Sequence, residues 1–271
     1  MTIALVLVGV FQVLGLISSV DAVMNTRTPQ GAIAWAVSLN TLPYLAVPAY
    51  WVLGRSRFHG YVTARRGTDE RTDPIERAAL QAIESFRVPE SQRPDATAAA
   101  EGLAAMPVLR GNSVELLIDG EATFESIFEG IAQAQDYVLV QFYIVHDDEL
   151  GQALKDRLIA KSRQGVRVYF CYDEVGSHAL KERYKQDLRD AGVEVYDFHS
   201  RKGPRNRLQL NFRNHRKIVV VDGKQAWIGG HNVGDEYMGK DPKFGHWRDT
   251  HVRIEGPAVL KAQLSFAEDW Y

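Results

Sequence analysis

Two runs without a charged residue open the chain, Met1 to Val20 and Gly31 to Gly54. At about 1.5 Å rise per residue, either is long enough to cross a hydrocarbon core of about 30 Å as a helix. Gln12, Ser18, Ser19, Ser38 and Asn40 are polar interruptions that a neighbouring helix can satisfy by hydrogen bonding. Pro43 and Pro48 are expected to kink the second span, and Trp35, Tyr44, Tyr50 and Trp51 supply candidates for interfacial anchors. Residues 1–54 are therefore read as a transmembrane hairpin. A signal peptide would carry basic residues ahead of its apolar core, and Met1-Thr2-Ile3 offers only the amino terminus. A hairpin buried in a soluble protein is the other alternative.

Residues 55–107 read as a basic juxtamembrane segment and helical linker. Asp73-Pro74 ahead of Ile75, Ala78, Ala79, Ala82, Ile83 and Phe86 is the pattern of an amphipathic helix with an Asp cap and Pro at its first position. Residues 88–106 are rich in Pro, Ala and small polar residues, and are expected to be linker with some helical content. From Val108 the pattern turns α/β. Strand-like runs at Val114 to Ile118, Tyr137 to Val145, Val166 to Tyr172 and Val193 to Phe198 alternate with helical spacing at Phe124 to Ile131, Leu150 to Ile159 and Leu180 to Ala191. Further strands are expected at Ile218 to Val221, Ala226 to Ile228 and Thr250 to Ile254. A last helix follows Gly256-Pro257. The expectation for residues 108–271 is a mixed, largely parallel sheet flanked by helices.

Charge refines this picture. The formal net charge is −2, so no overall basic field points to nucleic acid. Arginine is instead local. Arg27 alone lies between the two apolar runs, whereas Arg55, Arg57, Arg65 and Arg66 follow the second, which places that flank and the remainder of the chain on the cytoplasmic side. These arginines also suit anionic lipid headgroups. The segment from Ser200 to Arg213 carries Arg201, Lys202, Arg205, Arg207 and Arg213 among Leu208, Leu210 and Phe212. It reads either as a solvated loop or as a headgroup-binding loop. The single cysteine, Cys171, lies in an apolar run and reads as core filling.

The chemistry concentrates in Asn214-His215-Arg216-Lys217-Ile218-Val219-Val220-Val221-Asp222, followed by Gly229-Gly230-His231-Asn232. Strand alternation puts His215 and Lys217 on one face, at the start of a buried strand. An ammonium can neutralise a phosphodiester oxygen while an imidazole attacks phosphorus or moves a proton. Gly229 and Gly230 permit close backbone approach, and Asn232 offers an amide donor to the same oxygens. His146, His178, His199, His231, His246 and His251 show no metal-ligand spacing. No metal or other cofactor is expected.

His215-x-Lys217 with Asp222 and Gly229-Gly230-x-Asn232 resembles the signature of the phospholipase D superfamily. Gln141-Phe142-Tyr143-Ile144, Tyr172-Asp173 with Gly176-Ser177, Trp247-Arg248-Asp249-Thr250-His251 and Ile254-Glu255-Gly256-Pro257, with the apolar hairpin, extend the resemblance to bacterial cardiolipin synthases, over the amino-terminal half of that family's usual length. The resemblance implies phosphatidyl transfer between two phosphatidylglycerol molecules at the inner membrane, through a phosphatidyl-histidine, releasing glycerol. His215 would be nucleophile or general acid, and Lys217 and Asn232 would hold the phosphate. Asp222, grouped with the catalytic residues, would chiefly tie the motif's backbone. Asp249 would orient the histidine, although a surface ion pair accounts for it equally. Such chemistry needs two histidines, and none of the seven others is followed by x-Lys. A second half-site is expected, from a missing carboxy-terminal half or a homodimer. A hydrolase or nuclease on the same fold, and an inert membrane-bound half-enzyme, are the alternatives.

Overall fold

The computed structural model describes residues 2–26, 29–54, 77–94, 97–104, 106–198 and 214–271. Arg27, the arginine-rich flank from Arg55 to Arg66, the Asp73-Pro74 cap, His199 and the segment from Ser200 to Arg213 lie outside them. The chain divides into two compact units, one built on residues 1–66 and the other on residues 67–200 and 212–271.

In the first unit, α1 (Thr2–Asn25) is followed by α2 (Pro29–Thr41), α3 (Pro43–Ala49) and a π-helical turn at Tyr50–Gly54. The second apolar run is thus not one continuous helix. Leu42 leaves helical geometry at φ −132°, and Pro43 opens a new helix. The residue before a proline is pushed out of the α region by contact with the ring, so the chain breaks there rather than bending. Pro48 sits inside α3. Gly15 lets the two helices approach, because a Cβ at that position would overlap the Leu39 carbonyl oxygen. Polar groups pair across the helices: the Asn40 amide donates to Ser19 Oγ at 2.7 Å, Trp51 Nε1 to Ser18 Oγ at 3.0 Å, and the Tyr50 hydroxyl to Asp21 at 2.6 Å. Of the aromatic residues expected as anchors, Tyr44 and Trp51 are exposed, whereas Tyr50 is buried and Trp35 packs against the same cluster. One helix among those described, α1 between Val8 and Asn25, is long and apolar enough to cross a membrane.

The second unit begins with helical residues 77–83 and two short 3-10 turns, and then α4 (Thr97–Ala104). A seven-stranded sheet follows in the order β1-β7-β6-β5-β2-β3-β4. Its strands are β1 (Ser113–Ile118), β2 (Tyr137–Phe142), β3 (Arg167–Asp173), β4 (Glu194–Phe198), β5 (Ile218–Val221), β6 (Gln225–Gly229) and β7 (Thr250–Glu255). The sheet is mixed, as expected, but it is not largely parallel. Only β2–β3 and β3–β4 pair in parallel, and the other four pairings are antiparallel. Helical crossovers enforce parallel pairing only among β2, β3 and β4; the short β5–β6 turn reverses the chain within the sheet.

Helices α5 (Asp119–Gln133), α6 (Glu149–Arg163) and α7 (Glu182–Asp190) cover one face, where Phe124, Ile127, Leu154, Leu158 and Leu188 meet Val138, Val140, Phe170, Val219 and Trp227. The other face is covered by α8 (Val259–Trp270), with Val259, Ala262 and Phe266 against Leu139, Ile218, Val220 and Ala226. Beside α8 on this second face, Val114, Leu116 and Ile118 of the edge strand β1 remain exposed. Cys171 is buried in that core, where burial pushes its thiol pKa far up. It is packing material and not a nucleophile.

Gly130 sets how closely α5 lies on the sheet, because a Cβ there would overlap the Trp227 ring, whose Nε1 donates to Ser126 Oγ at 2.9 Å. Gly130→Ala is expected to destabilise the unit by about 1–3 kcal/mol through overpacking, despite the better helix propensity of alanine. Urea unfolding monitored by Trp fluorescence checks this.

Candidate active site

β5 is buried along its whole length, and all four of its residues are apolar. The polar residues on either side of it are therefore forced to its two ends. At the amino-terminal end, His215 is exposed and Lys217 is buried. Their side chains lie together: Lys217 Nζ is 3.5 Å from His215 Nδ1 and donates to the His215 carbonyl oxygen at 2.6 Å. The two side chains share one side as the sequence predicts, although both residues precede the strand itself. Burial pulls the Lys217 pKa below its ordinary range, and the Asp249 carboxylate opposes that shift. The His215 ring also stacks on Tyr143, with centroids 3.8 Å apart and planes inclined by 25°.

The turn after β6 and the entry to β7 meet beside this end. Asp249 takes the backbone N–H of Thr250 at 2.7 Å, and Trp247 Nε1 approaches its other oxygen at 3.5 Å. Its own backbone is latched to Asp119: the Asp119 N–H donates to the Asp249 carbonyl at 3.0 Å, and the Asp249 N–H donates to the Asp119 carboxylate at 3.2 Å. Gly229 and Gly230 do allow a close approach, but the groups that approach belong to the protein. A Cβ at Gly230 would overlap the Asp249 carboxylate, and one at Gly229 would overlap the His251 ring.

Asn232 is buried. Its Oδ1 accepts from the Ile144 N–H at 3.0 Å, and its Nδ2 donates to the Tyr237 hydroxyl at 3.2 Å. One of its two amide hydrogens is thus used within the protein. His231 and His251, fully buried beneath the turn, face each other Nδ1 to Nδ1 at 3.1 Å. Burial lowers the pKa of both. For His251 it does so to about 3, with His231 adding to the shift and Asp249 opposing it. Burial thus favours the neutral form of both rings.

Asp222, expected among the catalytic residues, is not at this end. It follows β5 at the opposite end, with φ +52°, and accepts the backbone N–H groups of Gln135 at 2.9 Å, Asp136 at 2.8 Å and Tyr137 at 2.9 Å. It fastens the β5–β6 turn to the start of β2. A cavity of about 570 Å³ opens at this far end, lined by Gln135, Lys161, Asp222 and Lys224 among others. The remaining histidines among the described residues serve local contacts: His146 pairs with Glu236 at 3.2 Å, His246 with Asp119 at 3.3 Å, and His178 Nδ1 lies 3.2 Å from the Val175 carbonyl. Among the described residues, no three His, Cys, Asp or Glu side chains converge as a metal site would require. Tyr143, Asp119 and Tyr237 escaped sequence reasoning as site residues. The only signal for Tyr143 is its place in the run Gln141-Phe142-Tyr143-Ile144, which carries part of the family resemblance.

Burial pushes the Asp222 carboxyl upward, but the three backbone N–H donors outweigh it and hold the pKa below the usual carboxylate range. Its stabilising contribution is therefore complete above the unfolded carboxylate pKa and is lost as pH falls through the depressed folded value. Asp222→Ala is expected to cost about 2–3 kcal/mol at neutral pH, a deficit that closes in strong acid. Urea unfolding of both proteins along a pH series reads this out.

A family model described as "Cardiolipin synthase, PLD-like domain" matches residues 127–270. The chain is 50% identical to cardiolipin synthase A of Pseudomonas putida (strain GB-1) over 269 residues, 98% of this chain and 56% of that protein. It is 49% identical to cardiolipin synthase A of Pseudomonas fluorescens (strain SBW25) over 265 residues, 95% and 54% of the two. The chain thus spans about half the length of the curated relatives it matches. Among solved structures, NucT from Helicobacter pylori aligns at 15% identity and a TM-score of 0.46, covering 59% of this chain and 96% of that one. The sequence matches carry the assignment: the chain belongs to the cardiolipin synthase family with a PLD-like domain.

Proposed function

We propose that this chain supplies one half-site of a phosphatidyltransferase that joins two phosphatidylglycerol molecules into cardiolipin and glycerol. The observation that carries the reading is the approach of Lys217 Nζ to His215, 3.5 Å from Nδ1, at one end of a buried strand. In the reaction, an imidazole nitrogen attacks the phosphorus of one phosphatidylglycerol. The P–O bond to the glycerol headgroup breaks, and a second histidine gives that leaving oxygen its proton. A hydroxyl of the second phosphatidylglycerol then attacks the phosphatidyl-histidine, loses its proton to the second histidine and frees the first. His215 fills one of these two roles. Lys217 neutralises a non-bridging oxygen from a fixed position, where a preplaced charge stabilises the transition state without reorganisation. The remaining amide hydrogen of Asn232 serves the same oxygens, and Asp249 orients the histidine. Asp222 acts only by holding the motif in place.

The second histidine comes from a second half-domain. The open face of β1, with Val114, Leu116 and Ile118 exposed beside α8, supports this. An apolar strip of that kind is stabilised by burial against a like surface. We assign it to the second half-domain, which for this chain by itself is a second copy. Residues 1–54 form the membrane anchor, residues 55–107 its basic and linker segment, and residues 108–271 the half-domain. The apolar length of α1 supports the anchor. The arginines that follow the second apolar run favour a cytoplasmic half-domain at the inner membrane, beside its anionic lipid substrates.

Reconstituted chain given labelled phosphatidylglycerol is expected to release cardiolipin and glycerol in equal amounts, with a rate per chain that rises with protein density. His215→Ala is expected to lower that rate by about 10⁴-fold. Leu116→Arg is expected to abolish both pairing and turnover while leaving the far-ultraviolet circular dichroism of the folded chain unchanged. Phosphatidic acid as product would reassign the chain as a hydrolase. Full turnover by the His215 variant, or none by a paired chain, would remove the assignment.

A further inference from the structure

His215 is exposed, yet its ring is not left to choose its own orientation. One face lies on Tyr143, at 3.8 Å between centroids. The same Tyr143 ring has Lys217 Nζ 5.4 Å from its centroid. A single aromatic plane therefore contacts both members of the pair. Tyr143 follows the end of β2 and is buried.

What holds Tyr143 is a loop just after β3. Ser177 Oγ donates to the Tyr143 carbonyl at 3.2 Å and accepts the Val145 N–H at 3.0 Å, so it brackets the residue from both sides along the chain. Gly176 passes so close beneath that a Cβ there would overlap both the Tyr143 carbonyl oxygen and its ring. The loop itself is folded around one carboxylate. Asp173, 1% exposed, accepts the N–H groups of Val175 at 2.9 Å and Gly176 at 2.8 Å on Oδ1. Its second oxygen reaches across the sheet and accepts the N–H of Asn214 at 2.8 Å. Asn214 immediately precedes His215, and its own Oδ1 accepts the Arg216 N–H at 3.1 Å.

The two oxygens of one buried carboxylate are thus divided between the loop that fixes Tyr143 and the backbone that carries His215. A carboxylate this deeply buried is tolerable only when its lone pairs are occupied, and three backbone donors occupy them. If Asp173 served merely to end β3, the bonds to Val175 and Gly176 would suffice. The bond to Asn214, 41 residues away, does something else: it fixes the distance between the platform and the ring that lies on it.

We propose that Tyr143 and Asp173 are positioning residues for His215, with Tyr143 setting the plane of the imidazole and Asp173 setting its register on that plane. This deepens the transferase reading and takes from it that His215 is the reacting group. Neither residue touches the phosphate. Their contribution is orientation, where a misplacement of about 1 Å costs about 100-fold in rate.

The test uses the full chain labelled with ¹³C at histidine Cε1, with the His215 resonance assigned by its loss in His215→Ala. In the wild type, stacking on Tyr143 is expected to shift that resonance upfield. Tyr143→Leu should abolish the upfield shift and lower kcat by about 100-fold with KM unchanged, and Tyr143→Phe should restore both. Asp173→Asn should weaken the shift and lower kcat in the same sense, because one amide oxygen cannot serve both the loop and Asn214. Ser177→Ala, which removes only a hydroxyl, covers the case in which Asp173→Asn does not fold. An unmoved His215 resonance in Tyr143→Leu, or losses of turnover matched by losses of folded protein, would overturn the proposal. The resonance is read without turnover, so an inactive wild type would count against the transferase reading and not against the positioning.

Discussion

Burying Ile218 to Val221 on both faces of a sheet is the constraint from which the site follows. A strand sealed in this way admits no polar side chain along its length, so the polar residues that flank it gather at its two ends. His215 and Lys217 share one end because both lie in the few residues that lead into the strand. Asp222 stands at the other, roughly seven residues on, which is about 23 Å of extended chain. A single strand therefore has the His215–Lys217 pair at one end and its fastening at the other.

The surrounding groups keep the pair in place more than they add to its charge. Gly229 and Gly230 are small because the Asp249 carboxylate and the His251 ring press against them. Asn232 ties the turn after β6 to Ile144 and Tyr237. Asp119, held at φ +65°, joins the end of β1 to the backbone of Asp249. The Asn232–Ile144 and Asp119–Asp249 bonds bring together segments distant in sequence, so the site is assembled only once the whole sheet has closed. Burial lowers the pKa of Lys217, which marks an amine held where desolvation strengthens its attraction to a negative charge.

The parts of this arrangement legible in the sequence were the local ones. Period-two spacing at His215 and Lys217, the apolar run that became β5 and the Gly-Pro start of α8 all follow from short-range chemistry. That Asp222 ties backbone follows from the resemblance, but the sequence does not show which backbone, because its partners, Gln135 to Tyr137, lie more than eighty residues earlier. Asp173 and Tyr143 were visible only as residues of a resemblance, for the same reason: their meaning lies in a contact with Asn214 and His215 across the sheet. The parallel share of the sheet was overestimated because strand–helix alternation ends at β4, where the antiparallel part begins. Hydropathy predicts one kinked span for the second apolar run because it does not register the break that Pro43 imposes on Leu42.

The account turns on His215 and Lys217 acting as one phosphate-gripping unit. Titration of the chain with orthovanadate, a mimic of the five-coordinate phosphorus, tests this when followed at the His215 ring resonance. A saturable shift of that resonance is expected in the wild type, and Lys217→Ala should abolish it. An unshifted resonance, or wild-type affinity in Lys217→Ala, would contradict it.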